Sequence, residues 1–189
     1  MVKKLLYFLS VLIVLISIYL TVFELILHTF HSPFNSIIEE STAQNSTWVY
    51  LLKQHYITFI ELDIFNLHEK RHLLDVKKVF ESTYRLWLLS LAFSLLVLIP
   101  LIIHKKLKIF SIYLCRTGFT FNILLLILSL NFLNTFTYLH TLLFSKNTWL
   151  FPKDSLLIEW FPLRYFQEFF VVFWVLSFLV FLYVKYKKY

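Results

Sequence analysis

The chain has 189 residues, of which 59% are hydrophobic and 20% are aromatic, and it carries a formal net charge of +7. A water-soluble chain of this length could not bury so much apolar surface, so a lipid bilayer must be part of its solvent. One glycine and four prolines disfavour a multi-stranded sheet, and the single cysteine, Cys115, excludes an internal disulfide. The basic residues lie beside apolar runs, which indicates membrane topology and no binding of nucleic acid.

Four apolar runs approach the ~20 residues that a helix needs to cross a hydrocarbon core of about 30 Å. The sequence therefore predicts an all-α polytopic membrane protein, a single membrane domain with four transmembrane helices and an outer-face loop/helix cap. The predicted spans cover residues 5–27, 84–103, 118–139 and 167–184. The first run is too long for a cleaved signal peptide and no small-residue cleavage site follows it, so we interpret it as a retained anchor.

The distribution of charge predicts the orientation. Segments 1–4, 104–108 and 185–189 contain eight lysines and no Asp or Glu. By the positive-inside rule, both termini and the 104–108 hairpin lie in the cytoplasm. The two long connections, residues 28–83 and 140–166, are then both on the outer face.

The outer connections hold six of the seven histidines. On a helix, His68, His72 and Asp75 share one face and Glu69 adjoins it, because residues three and four apart lie one above the other. The segment from His68 to His72 also matches H-E-x-x-H, a pattern in which two histidines bind zinc and the glutamate polarises water. A zinc-dependent membrane protease is therefore one alternative.

The zinc hypothesis requires a third ligand, for which His140 or Asp154 could serve, although no local pattern specifies either. A pattern of three fixed positions also arises by chance in a stretch rich in His and Glu. An ordinary solvated helix face explains the same residues.

His140 follows Arg116, which we place near the inner face, by 24 residues. At 1.5 Å per residue, a helix of that length rises about 36 Å. His140 is then predicted to lie at the outer headgroup boundary, at the end of the third span. There it is placed either to snorkel to the interface or to act on the ester region of a phospholipid-like substrate.

No protein nucleophile is evident on the outer side. No G-x-S-x-G elbow is present, and Cys115 lies towards the inner face, remote from the histidines. Histidine and carboxylate chemistry at the outer interface is what remains.

Two blocks of sequence carry a more specific pattern. The first precedes the second span and the second follows the third span: Glu69-x-x-His72-x-x-Asp75-Val76-Lys77, and His140-x-x-x-Phe144 followed by Asn147-x-Trp149 and Pro152-x-Asp154-x-Leu156-Leu157-Ile158. With their order, the four spans and the overall length, these blocks resemble the lipoprotein intramolecular transacylase (Lit) family of bacterial membrane proteins. The resemblance covers essentially the whole chain.

The resemblance implies a membrane acyltransferase that moves an acyl chain from the diacylglyceryl-cysteine of a lipoprotein to that cysteine's own α-amine, giving a lyso-form lipoprotein. It implies that His72 and His140 are catalytic, that the lipid-modified N-terminus is bound within membrane lipid, and that no cofactor or metal is needed. The family usually carries another residue at the position of His68, so the H-E-x-x-H match is accidental on this hypothesis. The implied location is a bacterial cell membrane, with the active site on the outer face.

The implied chemistry suits histidine. Ester aminolysis needs a base for the amine and a donor for the oxyanion, and the ordinary pKa of histidine, near ~6.5, is close to working pH. Because the amine and the ester belong to one molecule, no enzyme nucleophile is required. The sequence leaves open which histidine is the base.

Four further residues are expected to support the site. Glu69 or Asp75 is expected to orient His72. Trp149 and Asp154 belong to the loop after the third span, which we expect to fold back to the site. Asp154 either orients a group there or caps a helix over the following residues.

The two-histidine hypothesis also makes a geometric prediction. The rings of His72 and His140 must lie within about one substrate group, roughly 4–9 Å apart, and segment 67–83 must bend or lie down. In the remaining alternative, a non-catalytic membrane subunit, the two histidines need not meet.

Overall fold

The computed structural model describes residues 2–33, 42–52, 63–145 and 147–187, and within these ranges the chain forms α-helices and no strands. The predicted all-α fold is confirmed. The described helices, in chain order, are α1 (Val2–Leu27), α2 (Thr42–Leu52), α3 (Leu67–Ile103), α4 (Leu107–Ser129), α5 (Phe132–Leu143), α6 (Leu156–Trp160) and α7 (Leu163–Tyr186).

Four helices, α1, α3, α4 and α7, are long and apolar enough to cross a membrane, which confirms the predicted number of spans. Helix α3 has 37 residues and so extends roughly 56 Å, nearly twice the thickness of a hydrocarbon core. Residues 84–103 of α3 are predominantly apolar, with Arg85 as their one charged side chain, whereas residues 67–83 carry seven charged side chains. We therefore treat 84–103 as the membrane-spanning part and 67–83 as a polar extension outside it.

The third apolar helix differs from the predicted 118–139. Helix α4 covers Leu107–Ser129, because a charged side chain such as Arg116 interrupts the hydropathy pattern without interrupting a helix. The helix ends just before Asn131, whose side chain accepts a hydrogen bond (3.4 Å) from the Asn134 N–H and so caps the start of α5. The residues predicted to complete the third span, with His140 after them, form this separate helix.

Contacts divide the chain into two compact units. The first comprises Met1–Ile26, Tyr84–Leu130 and Val171–Tyr189, and the second comprises Leu27–Thr83 and Asn131–Phe170. The first unit has an apolar core formed by residues of α1, α4 and α7: Val11, Val14, Leu15, Phe110, Leu114 and Phe181. The second unit contains every predicted site residue. A single-domain organisation stays a prediction.

Aromatic side chains hold the second unit together. The buried Trp48 of α2 donates its indole N–H to the His31 carbonyl (3.1 Å) and packs edge-on against Phe161. The buried Tyr165, at the start of α7, donates its hydroxyl to the Phe30 carbonyl (2.9 Å). These bonds tie α2 and the first turn of α7 to the segment that follows α1.

Candidate active site

Helix α5 presents His140 in its last turn. The half-buried ring lies 2.9 Å, through Nδ1, from the backbone carbonyl of Phe136, one turn earlier. A carbonyl oxygen only accepts hydrogen bonds, so Nδ1 carries the proton and, in the neutral ring, Nε2 carries the lone pair. The Phe136 ring lies against the imidazole at 3.9 Å and the Trp149 ring at 5.2 Å, centroid to centroid.

The polar extension of α3 presents His72. Its ring lies between Phe144 (4.8 Å) and Phe151 (5.3 Å), and its Nδ1 is buried without a hydrogen-bond partner among the described residues. Burial lowers the pKa of His72 to about 4, and the nearby His140 acts in the same direction. His72 is therefore neutral at ordinary pH.

Both histidines contact the ring of Phe144. Its ring centroid lies 4.8 Å from that of His72 and 5.4 Å from that of His140, so the two imidazole centroids are no more than about 10 Å apart. Burial lowers the pKa of His140 as well, opposed by the hydrogen bond to the Phe136 carbonyl. Two neutral imidazoles thus share one aromatic environment.

Segment 67–83, which we expect to bend or lie down, belongs to a helix that continues without interruption as far as Ile103. The bend or tilt of this segment stays a prediction. A break in the helices does occur between α4 and α5, and His140 belongs to the short helix that follows it.

Glu69 has partners other than His72. Its Oε2 accepts a hydrogen bond from the Asn66 N–H (2.9 Å) and its Oε1 accepts one from the Ser155 hydroxyl (2.6 Å). The Glu69 N–H in turn donates to the side chain of Asn66 (3.0 Å), which makes a reciprocal cap at the start of α3. The expectation that Glu69 orients His72 therefore gains no support from its hydrogen bonds.

The other supporting residues are placed differently from one another. Trp149 lies against His140, so the loop does fold back to the site. Asp75 accepts a hydrogen bond from Lys78 (3.3 Å) and acts on His72 through its charge, which raises the pKa of His72 against the larger effect of burial. Asp154 is exposed, and the cap of α6 is Ser155, so the capping role considered for Asp154 is wrong.

Sequence reasoning missed Phe136, Phe151, Phe166 and Ser155. The contact of Phe136 with His140 is predictable from the sequence, because Phe136 precedes His140 by one helical turn and shares its face. Phe166 lies 4.9 Å from Phe136 and 6.3 Å from His140, centroid to centroid, but belongs to α7. No local sequence pattern indicates that Phe151 or Ser155 belongs to the site, because each contacts a residue about 80 positions earlier in the chain.

The geometry does not favour the zinc hypothesis. The exposed His68 ring lies 3.4 Å from the Leu150 carbonyl and packs on Phe151, while both Glu69 oxygens are hydrogen-bonded elsewhere. In the described part of the chain, no three His, Cys, Asp or Glu side chains are grouped so that they could hold a metal ion.

The fold and the site define a polytopic membrane protein, with four helices long and apolar enough to cross a bilayer and two histidines that contact one phenylalanine ring. A family model described as lipoprotein intramolecular transacylase Lit matches residues 3–166, so the chain belongs to that family and its function is lipoprotein transacylation. The resemblance in the sequence is thereby confirmed, and neither alternative function is favoured.

Two solved structures are similar in fold. The membrane-integral lipoprotein intramolecular transacylase Lit from Bacillus cereus is 17% identical, with 97% of this chain and 96% of that chain covered and a TM-score of 0.76. A histidine-to-arginine variant of the Bacillus cereus protein is 18% identical, with 97% and 93% covered and a TM-score of 0.62. No match was found among curated proteins.

Proposed function

We propose that His72 and His140 together move an acyl chain from the glycerol of a diacylglyceryl-cysteine to the α-amine of the same cysteine. The observation that supports this most is the pair of imidazoles on Phe144, within about 10 Å of each other. A neutral imidazole has one lone pair and one N–H. Ester aminolysis needs a base and a hydrogen-bond donor, and two such rings supply both.

His140 is the base in this proposal. Its Nδ1–H is committed to the Phe136 carbonyl, so the lone pair on Nε2 is available to take a proton from the attacking amine. The same carbonyl stabilises the imidazolium that forms, as an acceptor behind a catalytic histidine does in other enzymes.

His72 is the oxyanion donor in this proposal. A ring whose pKa is about 4 is a weak base towards an amine but remains neutral, with an N–H to donate, throughout the physiological range. No carboxylate or carbonyl of the described residues is hydrogen-bonded to its buried Nδ1. No acceptor among the described residues therefore holds the proton on Nδ1, and in this proposal it lies on Nε2, which donates to the oxygen that becomes negative.

The proposed steps balance within one substrate molecule. The amine nitrogen bonds to the acyl carbon, the ester C–O bond breaks, and the proton taken by His140 passes to the departing glycerol oxygen. The product is an amide of unchanged total mass. Holding amine and ester together supplies much of the rate, since it replaces an encounter between two molecules.

We also propose that the site faces outward, with both termini in the cytoplasm of a bacterial cell. The support is the distribution of charge, since the three segments assigned to the inner face contain eight lysines and no acid. The substrate is then the lipid-modified N-terminus of a lipoprotein, approached from the surrounding membrane lipid. Reporter cysteines at Lys153 and at Tyr189 test the orientation, and labelling of Tyr189 from outside would contradict it.

The test of the proposed function uses purified protein and a synthetic diacylglyceryl-cysteine peptide, with products resolved by mass spectrometry. His72→Ala and His140→Ala should each slow transfer by about 10²–10⁴-fold, the usual cost of losing one acid–base or oxyanion group. His104→Ala, an exposed histidine in the other unit, is the matched control. Full activity of either site variant would refute the proposal.

A further inference from the structure

The segment after α5 covers the two histidines. Within it, residues 147–155, here called the cover loop, place two aromatic rings on the site. Trp149 lies 5.2 Å from His140, and Phe151 lies 5.3 Å from His72, centroid to centroid. Alternate residues of one loop thus cover one histidine each.

A buried hydrogen bond fixes the far end of the cover loop. The Ser155 hydroxyl donates to Glu69 Oε1 at 2.6 Å, and both side chains are buried, with 9% and 3% of their surface exposed. Hydrogen bonds to a carboxylate are shorter and stronger than those between neutral groups. The other oxygen of Glu69 is held by the Asn66 N–H, so the carboxylate joins the start of α3 to the cover loop.

The Ser155 hydroxyl does not cap its own helix. Ser155 occupies the cap position of α6, yet its side chain makes no capping hydrogen bond to that helix. The nearby contact between His68 and the Leu150 carbonyl is longer, at 3.4 Å, and exposed. Of these two hydrogen bonds between α3 and the cover loop, the Glu69–Ser155 bond is therefore the stronger.

We propose that Glu69 and Ser155 are positioning residues that keep the cover loop closed and so exclude water from the acyl transfer. This inference rests on the proposed function, because closure matters only where His72 and His140 carry the reaction. In an open site, water replaces the amine: its oxygen bonds to the acyl carbon, the ester C–O bond breaks, the glycerol oxygen takes the proton, and a fatty acid is released. Closed active sites commonly suppress this side reaction.

The experiment measures how the reaction divides between transfer and hydrolysis. The full chain in lipid nanodiscs is given a synthetic diacylglyceryl-cysteine peptide, and mass spectrometry quantifies the N-acyl product and free fatty acid. Ser155→Ala should slow transfer by about 10–100-fold, the range for a lost hydrogen bond to a charged group, and should raise the released fraction of fatty acid. Ser155→Thr, which keeps the hydroxyl, should restore the ratio of the wild-type protein.

Two controls separate the loop from general stability. Asn66→Ala weakens the cap of α3 but keeps the Ser155 bond, and Ser145→Ala removes an exposed hydroxyl just before the loop. Neither should raise fatty-acid release. Glu69→Gln keeps the size of the side chain and replaces the charged carboxylate acceptor with a neutral amide. It is the variant to measure if the Ser155→Ala protein does not accumulate.

The outcomes are distinct. If Ser155→Ala and Glu69→Gln release no more fatty acid than the wild-type protein, the inference is overturned whatever their rates of transfer. It is also overturned if Asn66→Ala releases as much fatty acid as Ser155→Ala does. Failure of the proposed function looks different, because His72→Ala and His140→Ala would then still transfer the acyl chain.

Discussion

The burial of His72 predicts a measurable loss of stability in acid. The pKa of this histidine is about 4 in the folded protein and 6.5 in its ordinary state. The unfolded chain binds the proton more readily than the folded protein. The contribution of neutral His72 to stability is therefore fully present above about pH 6.5 and is lost as the pH falls towards about 4. The free energy of unfolding should fall by about 2 kcal/mol from this cause between about pH 7 and pH 5.

His72→Gln removes this titration and is the variant to compare with wild type. Thermal unfolding in detergent at the two pH values measures the effect, and about 2 kcal/mol corresponds to a shift of about 4–8 °C on the scale of soluble domains of this size. On acidification, the melting temperature of the wild-type protein should fall by about 4–8 °C more than that of His72→Gln. His104→Gln should behave as the wild-type protein does. Equal losses in wild type and His72→Gln would refute the buried, neutral His72 on which the donor role depends.

Three further predictions concern other residues. His68→Ala should change transfer by less than about threefold, since its 3.4 Å exposed contact is a weak hydrogen bond; a loss as large as that of His72→Ala, reversed by zinc, would restore the metal hypothesis. Asp154→Ser should keep nearly full activity in the mass-spectrometric assay, because its carboxylate is exposed. Gly118→Ala should lower thermal stability, typically by about 1–3 kcal/mol, since a Cβ there would lie 2.5 Å from the Phe181 ring; Phe181→Leu should recover part of the loss.

Properties of single segments were predictable from the sequence. Length and continuous apolarity define a membrane span, so the number of spans was predicted correctly. The boundaries of the third span were not predicted correctly. Helix α4 continues through Arg116, and it ends where the side chain of Asn131 caps the start of the next helix. The pair Asn66 and Glu69 does carry the spacing of a capping box, which would have identified the start of α3.

The site depends on contacts that no local pattern contains. His72 and His140 stood out through their motif, yet the group that joins them, Phe144, was noticed only as part of that motif. Glu69 is one of two residues that the sequence suggests for orienting His72, because they are close in sequence, whereas its partner Ser155 lies 86 residues away. The proton position on His140 follows from one backbone carbonyl and becomes visible only in the folded chain.

Cooperation of His72 and His140 in one transition state is the central claim, and the double variant tests it most directly. If the two rings serve the same transition state, replacing both with Ala should slow transfer scarcely more than the worse single replacement does, because groups that act as a unit are not additive. The measurement is the rate of N-acyl product formation in wild type, both single variants and the double variant, all at matched protein levels. Losses that multiply in the double variant would show that the two histidines act independently and would contradict the account.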